Sequence, residues 1–230
     1  HGRLKMEDAI GRSWEVYCYN LGEQLGIATL SQFCKQVGFG QITGIRLPNA
    51  CSGLIPDKEW KLRRFGKPWQ GGESVITAIG QGYTTSTPLQ IARFIAALVN
   101  GGHLLQPQLQ HAADPINQGE LPIQDKYLQF LRQSMINTVE GRHGTARSLR
   151  MPQITIGAKT GTAQVVRLTE KHEDKETDEI PYKYRDHAWM AGFGQQDDSV
   201  YVAVVLVEHG GSGSSAAGPI VKDIFTYLFQ

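Results

Sequence analysis

The chain has almost no excess charge of either sign, few cysteines and no long apolar run, and each shortage narrows what it can be. With 23 Lys and Arg against 22 Asp and Glu and a net charge of +1, nothing suggests a polyanion partner, so no nucleic acid is expected. Cys18, Cys34 and Cys51 stand in unrelated settings without a Cys-x-x-Cys pair. That argues against a zinc module and a disulfide framework, and leaves buried thiols or at most one bridge. No apolar stretch approaches a membrane span, and the N-terminus has neither the apolar core nor the cleavage site of a signal peptide. The sequence opens at His1-Gly2-Arg3 without methionine, and the expectation is a piece of a longer polypeptide. A single histidine at that edge is no basis for a metal site. Gly80-Gln81-Gly82 lacks the third glycine and the lysine of a phosphate loop, which removes nucleotide binding. No cofactor is called for.

What is present is an ordinary globular composition, 40% hydrophobic over 230 residues, enough for one large domain or two small lobes. Met6, Ala9, Ile10, Val16, Tyr17, Leu21 and Leu25 recur at helical spacing, with a break near Gly11-Arg12-Ser13. A second short helix spans Leu30 to Val37. Residues 44–72, rich in Gly, Pro and charge, read as a surface excursion with one helical turn, the run from Lys58 to Arg64 forming a solvated face. Thr87-Pro88 predicts a helix start, with Thr87 at the N-cap and Pro88 at the first position. After a Pro- and Gln-rich connection, Lys126 to Val139 is amphipathic. His143 reads as a solvated turn residue.

Beyond residue 150 the pattern changes. A strand from Ile154 to Val166 is followed by a charged stretch, 167–186, read as a mobile loop. His187–Gly194 and Val200–Glu208 form a hairpin about a polar turn at Gln195–Asp198. Gly210–Ser215 reads as a flexible link into a closing helix, Ala217–Phe229. Strands joined by a tight hairpin are antiparallel, so the expected fold class is α+β: an antiparallel sheet flanked by helices, with residues 1–150 a mainly helical half.

The chemistry concentrates in the 154–166 strand, at Lys159-Thr160-Gly161-Thr162. A lysine flanked by hydroxyls, beside a glycine that lets another backbone approach, suits an anionic peptide-like ligand. Lys-Thr-Gly occurs among the motifs of serine β-lactamases and penicillin-binding proteins, although a tripeptide alone equally fits a plain strand with an exposed lysine. Ser13-Trp14-Glu15 is similarly two-sided, since a serine N-cap with a first-turn acid looks the same.

In order, Ser13-Trp14-Glu15, Gly80-Gln81-Gly82 with Thr87-Pro88-Leu89-Gln90, Gly144-Thr145-Ala146 and Lys159-Thr160-Gly161-Thr162-Ala163-Gln164 resemble the transpeptidase domain of class B penicillin-binding proteins. Arg185-Asp186-His187-Ala188-Trp189 and Trp60 to Trp69 look most like the elongation-specific members. The resemblance covers the whole chain. It implies a peptidoglycan D,D-transpeptidase that attacks D-Ala-D-Ala stem peptides with a serine, forms an acyl-enzyme and binds β-lactams. It also implies that Ser13 shuttles a proton and that Lys159 holds that hydroxyl and supplies positive potential. Thr160 and Thr162 would then bind the substrate carboxylate, with the Thr162 N–H as half of an oxyanion hole. Gly161 would let the substrate lie along the strand, and Glu15 would complete the middle motif. Elongation-machinery membrane proteins are the implied partners, at the periplasmic face of a bacterial inner membrane, through an N-terminal anchor helix outside this chain.

Two departures stand against the family pattern. Glu15 occupies a position where Asn or Asp is usual, and no serine here has lysine three positions later, so the Ser-x-x-Lys nucleophile and the first part of the domain are expected upstream of His1. The alternatives are a non-catalytic penicillin-sensing or scaffold relative, which a degenerate upstream motif would mark, and a hydrolytic carboxypeptidase or β-lactamase, which rapid deacylation would mark.

Overall fold

The stretches read as helical from their apolar spacing form helices, and those read as strands after residue 150 form a sheet. The computed structural model describes residues 5–110, 114–165 and 179–230. These group into two compact units, one holding residues up to Ala9 with Trp14–Leu131, the other Ile10–Ser13 with Arg132–Gln230. Among the described residues no helix is long and apolar enough to cross a membrane.

Helix α1 (Met6–Gly11), whose last two residues belong to the second unit, and α2 (Glu15–Gln36) of the first are separated at the expected break. Trp14, not Ser13, is the N-cap residue of α2, and no side chain caps it there, so the helix-cap reading of Ser13 does not hold. Gly26, at φ 68 and ψ 166, bends α2, so that the later part of the first helix read from the sequence and the second short helix are its two arms. Gly22 lets α2 lie close to α4 (Gly71–Thr77): a Cβ there would sit 2.5 Å from Ala78 Cβ and 3.0 Å from the Ser74 carbonyl.

The charged excursion is more ordered than its composition suggests. Lys58–Phe65 is a two-turn helix, α3, whose N-cap Asp57 accepts a hydrogen bond from the Trp60 N–H at 2.8 Å. The Lys35 ammonium, 2.7 Å away, is the main reason the Asp57 carboxyl sits below its ordinary value. Lys61 is not part of a solvated face. It is 5% exposed, and its Nζ lies 2.5 Å from both carboxylate oxygens of Glu73. Burial pushes the Glu73 carboxyl up, but Lys61 and the Gln70 N–H outweigh it and hold the group below its usual range.

Thr87 caps α5 (Pro88–Val99) as expected, in a reciprocal box with Gln90. The Gln90 side chain, 2% exposed, accepts from the Thr87 N–H and donates to the Gln41 and Ser52 carbonyls at 2.7 Å each. A buried amide is stable only when both ends are paired, and this one ties three segments together. The Pro- and Gln-rich connection holds an antiparallel ribbon, β1 (His103–Leu105) with β2 (Asn117–Glu120). Arg93 of α5 donates to the Leu104 and Leu105 carbonyls.

Helix α6 (Asp125–Glu140) begins in the first unit and ends in the second. The second unit is a three-stranded antiparallel sheet in the order β3 (Thr155–Ala163), β4 (His187–Gln196), β5 (Ser199–Val207). The β4–β5 turn is Asp197-Asp198, with Asp197 at φ 49, a left-handed conformation that Asp tolerates. On one face α7 (Gly218–Leu228) places Phe225 and Phe229 over Gly194, whose Cβ would fall 2.7 Å from the Phe229 ring. On the other face Gly157 lets α6 approach, because a Cβ would lie 3.2 Å from Ile136 N and 2.4 Å from the Phe193 ring. Val139, Leu149, Ile156, Ala158, Met190, Val221 and Phe225 form the core.

The flexible link read at Gly210–Ser215 is instead folded: Gly213–Ala217 is a π-helical turn with Gly213 and Ala217 buried. Of the loop read as mobile, 167–178 lies outside the described residues, as do His1 and Val166, while Tyr182–Tyr184 forms a 3-10 turn. All three cysteines are free thiols; Cys51 is exposed, and burial pushes the Cys34 thiol up.

Removing the Glu73 carboxylate strands a buried ammonium, so Glu73→Gln should lower stability by about 3 kcal/mol at neutral pH. Because the folded carboxyl titrates below its ordinary value, this contribution is complete above the unfolded value and is lost as pH falls through the folded one. Urea unfolding of parent and variant should show the gap at pH 7 and its progressive narrowing as pH falls below the ordinary carboxylate range.

Candidate active site

Strand β3 is an edge strand. It is bonded to β4 on one side, with Lys159 opposite Ala191, Thr160 opposite Met190 and Gly161 opposite Trp189, and it has no strand neighbour on the other side among the described residues. Lys159 is half-buried and needs acceptors. Its Nζ donates to Ser13 Oγ at 2.5 Å and to the Thr160 carbonyl at 3.1 Å. Ser13 reaches this place from the turn after α1. Its φ is 54, a conformation costing a non-glycine residue about 1–2 kcal/mol, and the bonds from Lys159 and from its own N–H to the Ile10 carbonyl hold it there.

The hydroxyls continue outward from the lysine. Ser13 Oγ lies 3.5 Å from Thr160 Oγ1, and Thr160 Oγ1 lies 3.1 Å from Thr145 Oγ1. An ammonium only donates, so Ser13 Oγ is an acceptor towards Lys159 and its own proton is available elsewhere. A hydroxyl in this position can pass a proton while the adjacent positive charge stabilises developing negative charge on oxygen.

Sequence reasoning singled out Ser13, Lys159 and Thr160, which meet here. Thr162 is on the same strand and exposed. Gly161 has room on one side: a Cβ would meet only Trp189 Cβ, at 3.3 Å. Glu15 is the first residue of α2, and its carboxylate accepts a hydrogen bond from the Tyr19 hydroxyl at 2.7 Å. That bond is the main reason the Tyr19 phenol titrates above its usual value. Tyr19 carried no role in the sequence reading, although its i,i+4 spacing from Glu15 was legible.

Thr145 was part of a quoted motif but carried no role, and Gly213 was read only as part of a flexible link. Residues 144–146 are clamped to the end of α6, with the Ala146 N–H donating to the Thr138 carbonyl at 3.1 Å and Gly144 so close that a Cβ would fall 2.1 Å from that oxygen. Arg150 caps the same helix end through the Val139 and Glu140 carbonyls. Gly213 presses on β3 and β4, its Cβ position lying 2.2 Å from the Trp189 carbonyl and 2.6 Å from the Gly161 carbonyl. Nearby, the Gly211 N–H donates to the Asp186 carbonyl and the His209 N–H to His187 Nδ1, both at 2.9 Å.

Residues 1–226 match the penicillin-binding-protein transpeptidase domain. Peptidoglycan D,D-transpeptidase MrdA of Haemophilus influenzae is 33% identical over 245 residues, covering 100% of this chain and 37% of that protein. The Acinetobacter baumannii protein of the same name is 35% identical over 239 residues, covering 99% and 35% respectively. The chain therefore spans little more than a third of these curated relatives. Among solved structures, Helicobacter pylori PBP2 in complex with MreC superposes with a TM-score of 0.82 at 34% identity, over 100% of this chain and 42% of that one. Pseudomonas aeruginosa PBP2 in complex with WCK 5153 gives 0.81 at 33%, over 98% and 47%.

Because Gly213 fills a space with no room for a methyl group, Gly213→Ala should destabilise the protein by about 2–3 kcal/mol. Ser212→Ala, at an exposed neighbour, should change stability by less than about 0.5 kcal/mol. Chemical denaturation of both variants checks the contrast.

Proposed function

This chain belongs to the penicillin-binding-protein transpeptidase domain family, and we propose that it is the part of a peptidoglycan D,D-transpeptidase that carries the lysine wall of the site. The observation that supports this most is the 2.5 Å bond from Lys159 to Ser13 beside the Thr160 hydroxyl. In this reading a serine outside the 230 residues attacks the penultimate D-Ala carbonyl of a stem peptide and expels the terminal D-Ala. An amine of a second stem peptide then takes the acyl group. Ser13 carries the proton to the leaving amine, and Lys159 keeps the Ser13 oxygen in place and lowers the energy of negative charge nearby. Thr160 and Thr162 hold the terminal carboxylate, and the Thr162 N–H serves the oxyanion.

The open edge of β3 suits an extended peptide laid alongside it as an added strand, with Gly161 leaving room. β-Lactams, which present an acyl group and a carboxylate in the same relation, take the same place. Glu15, steadied by Tyr19, stands in for the shorter acid or amide of the family. The setting is the periplasmic face of a bacterial inner membrane, with elongation-machinery membrane proteins as partners, in line with the MreC complex of the Helicobacter pylori relative.

Digestion and mass spectrometry of the full-length protein after treatment with a fluorescent penicillin tests this directly. The penicilloyl adduct should map to a serine outside residues 1–230, and an adduct on Ser13 would contradict the assignment. Lys159→Ala should slow acylation by on the order of 10²–10³ without moving the adduct.

A further inference from the structure

We propose that Thr145 is a positioning residue that orients the Thr160 hydroxyl and backs its hydrogen bond to a ligand carboxylate. This rests on the acyl-transfer reading above and adds a residue to it. Among the described residues the Thr160 oxygen has two hydroxyl neighbours, Thr145 Oγ1 at 3.1 Å and Ser13 Oγ at 3.5 Å, and the nearer is Thr145. At 3.5 Å the Ser13 oxygen is at the limit of hydrogen-bond reach, so it is the poorer partner for holding Thr160.

A hydroxyl gives one proton and accepts on two lone pairs, so the Thr145–Thr160 pair has two polarities. Without a ligand, Thr160 donates to Thr145. With a carboxylate bound, the Thr160 proton turns to the anion, and Thr145 rotates its own proton onto Thr160 Oγ1. Donation into an oxygen strengthens that oxygen's own donation, so Thr145 contributes to anion binding through Thr160.

The placement of Thr145 is built into the fold. Gly144 has no room for a Cβ against the Thr138 carbonyl, and Ala146, 0% exposed, donates its N–H to that same carbonyl. These contacts hold the residue between them at a fixed distance from β3. Arg150 secures the helix end on which they rest.

The experiment uses the full-length protein and two variants. Thr145→Val removes the hydroxyl and keeps the shape, while Thr145→Ser keeps the hydroxyl and removes the methyl group. Acylation efficiency is measured with a β-lactam bearing its free carboxylate and with the methyl ester of the same compound, alongside the thermal midpoint of each protein. Thr145→Val should lose about tenfold on the carboxylate, the scale of one hydrogen bond to a charged acceptor, and less than about twofold on the ester. Thr145→Ser should stay within about threefold of the parent on both. Equal losses on carboxylate and ester, a Ser variant as poor as Val, or a Val variant indistinguishable from the parent would each overturn the proposal. A parent protein that no penicillin acylates would overturn the underlying transpeptidase reading instead, and the two failures are told apart by the parent measurement alone.

Discussion

The site depends on one hydrogen bond, from the Lys159 ammonium to the Ser13 hydroxyl. These residues are 146 positions apart, and each is held in place by a different constraint. Lys159 is fixed by the pairing of β3 with β4, and Ser13 by a left-handed turn at the end of α1. A half-buried ammonium without an acceptor is costly, so the contact orders the serine. Thr160 and Thr145 extend the same line of hydroxyls to the end of α6, where Arg150 and the tight Gly144 turn anchor it.

Close backbone approach is the second theme of the sheet unit. Gly157 admits α6 on one face, Gly194 admits the aromatic rings of α7 on the other, and Gly213 lies against the carbonyls of Gly161 and Trp189. Each is a point where a single methyl group would push an element away from the strands. The strand that presents Lys159 is therefore held from both faces, while one edge carries no strand among the described residues. Rigid faces with an open edge suit an extended peptide ligand.

Much of this was legible before the fold. Thr87-Pro88 marked the start of α5, and the polar turn at Gln195–Asp198 marked the hairpin to within two residues, because both signals are local. Lys159 and Ser13 stood out through ordered motifs, and the family assignment followed from their sequence over the whole chain. The burial of Lys61 was not legible. Inside a run of charges a lysine looks solvated until Glu73, twelve residues on, is known to meet it. Gly210–Ser215 has the composition of a linker, and only the missing Cβ of Gly213 reveals how tightly it packs. Ser13 read as a helix cap for the same reason: its left-handed φ, which turns it away from α2, is a property of the turn and leaves no mark in composition. Thr145 belonged to a recognised motif, but the hydroxyl it meets is set by the tertiary placement of α6 against β3.

A double-mutant cycle on acylation of the full-length protein tests the central pair most directly. If Ser13 and Lys159 act as one unit, then Ser13→Ala, Lys159→Ala and the double variant should lose similar amounts, with a coupling of at least about 1 kcal/mol between the two sites. Losses that simply add in the double variant would contradict the account, because they would mean that the serine and the lysine contribute independently and that their hydrogen bond is incidental to the reaction.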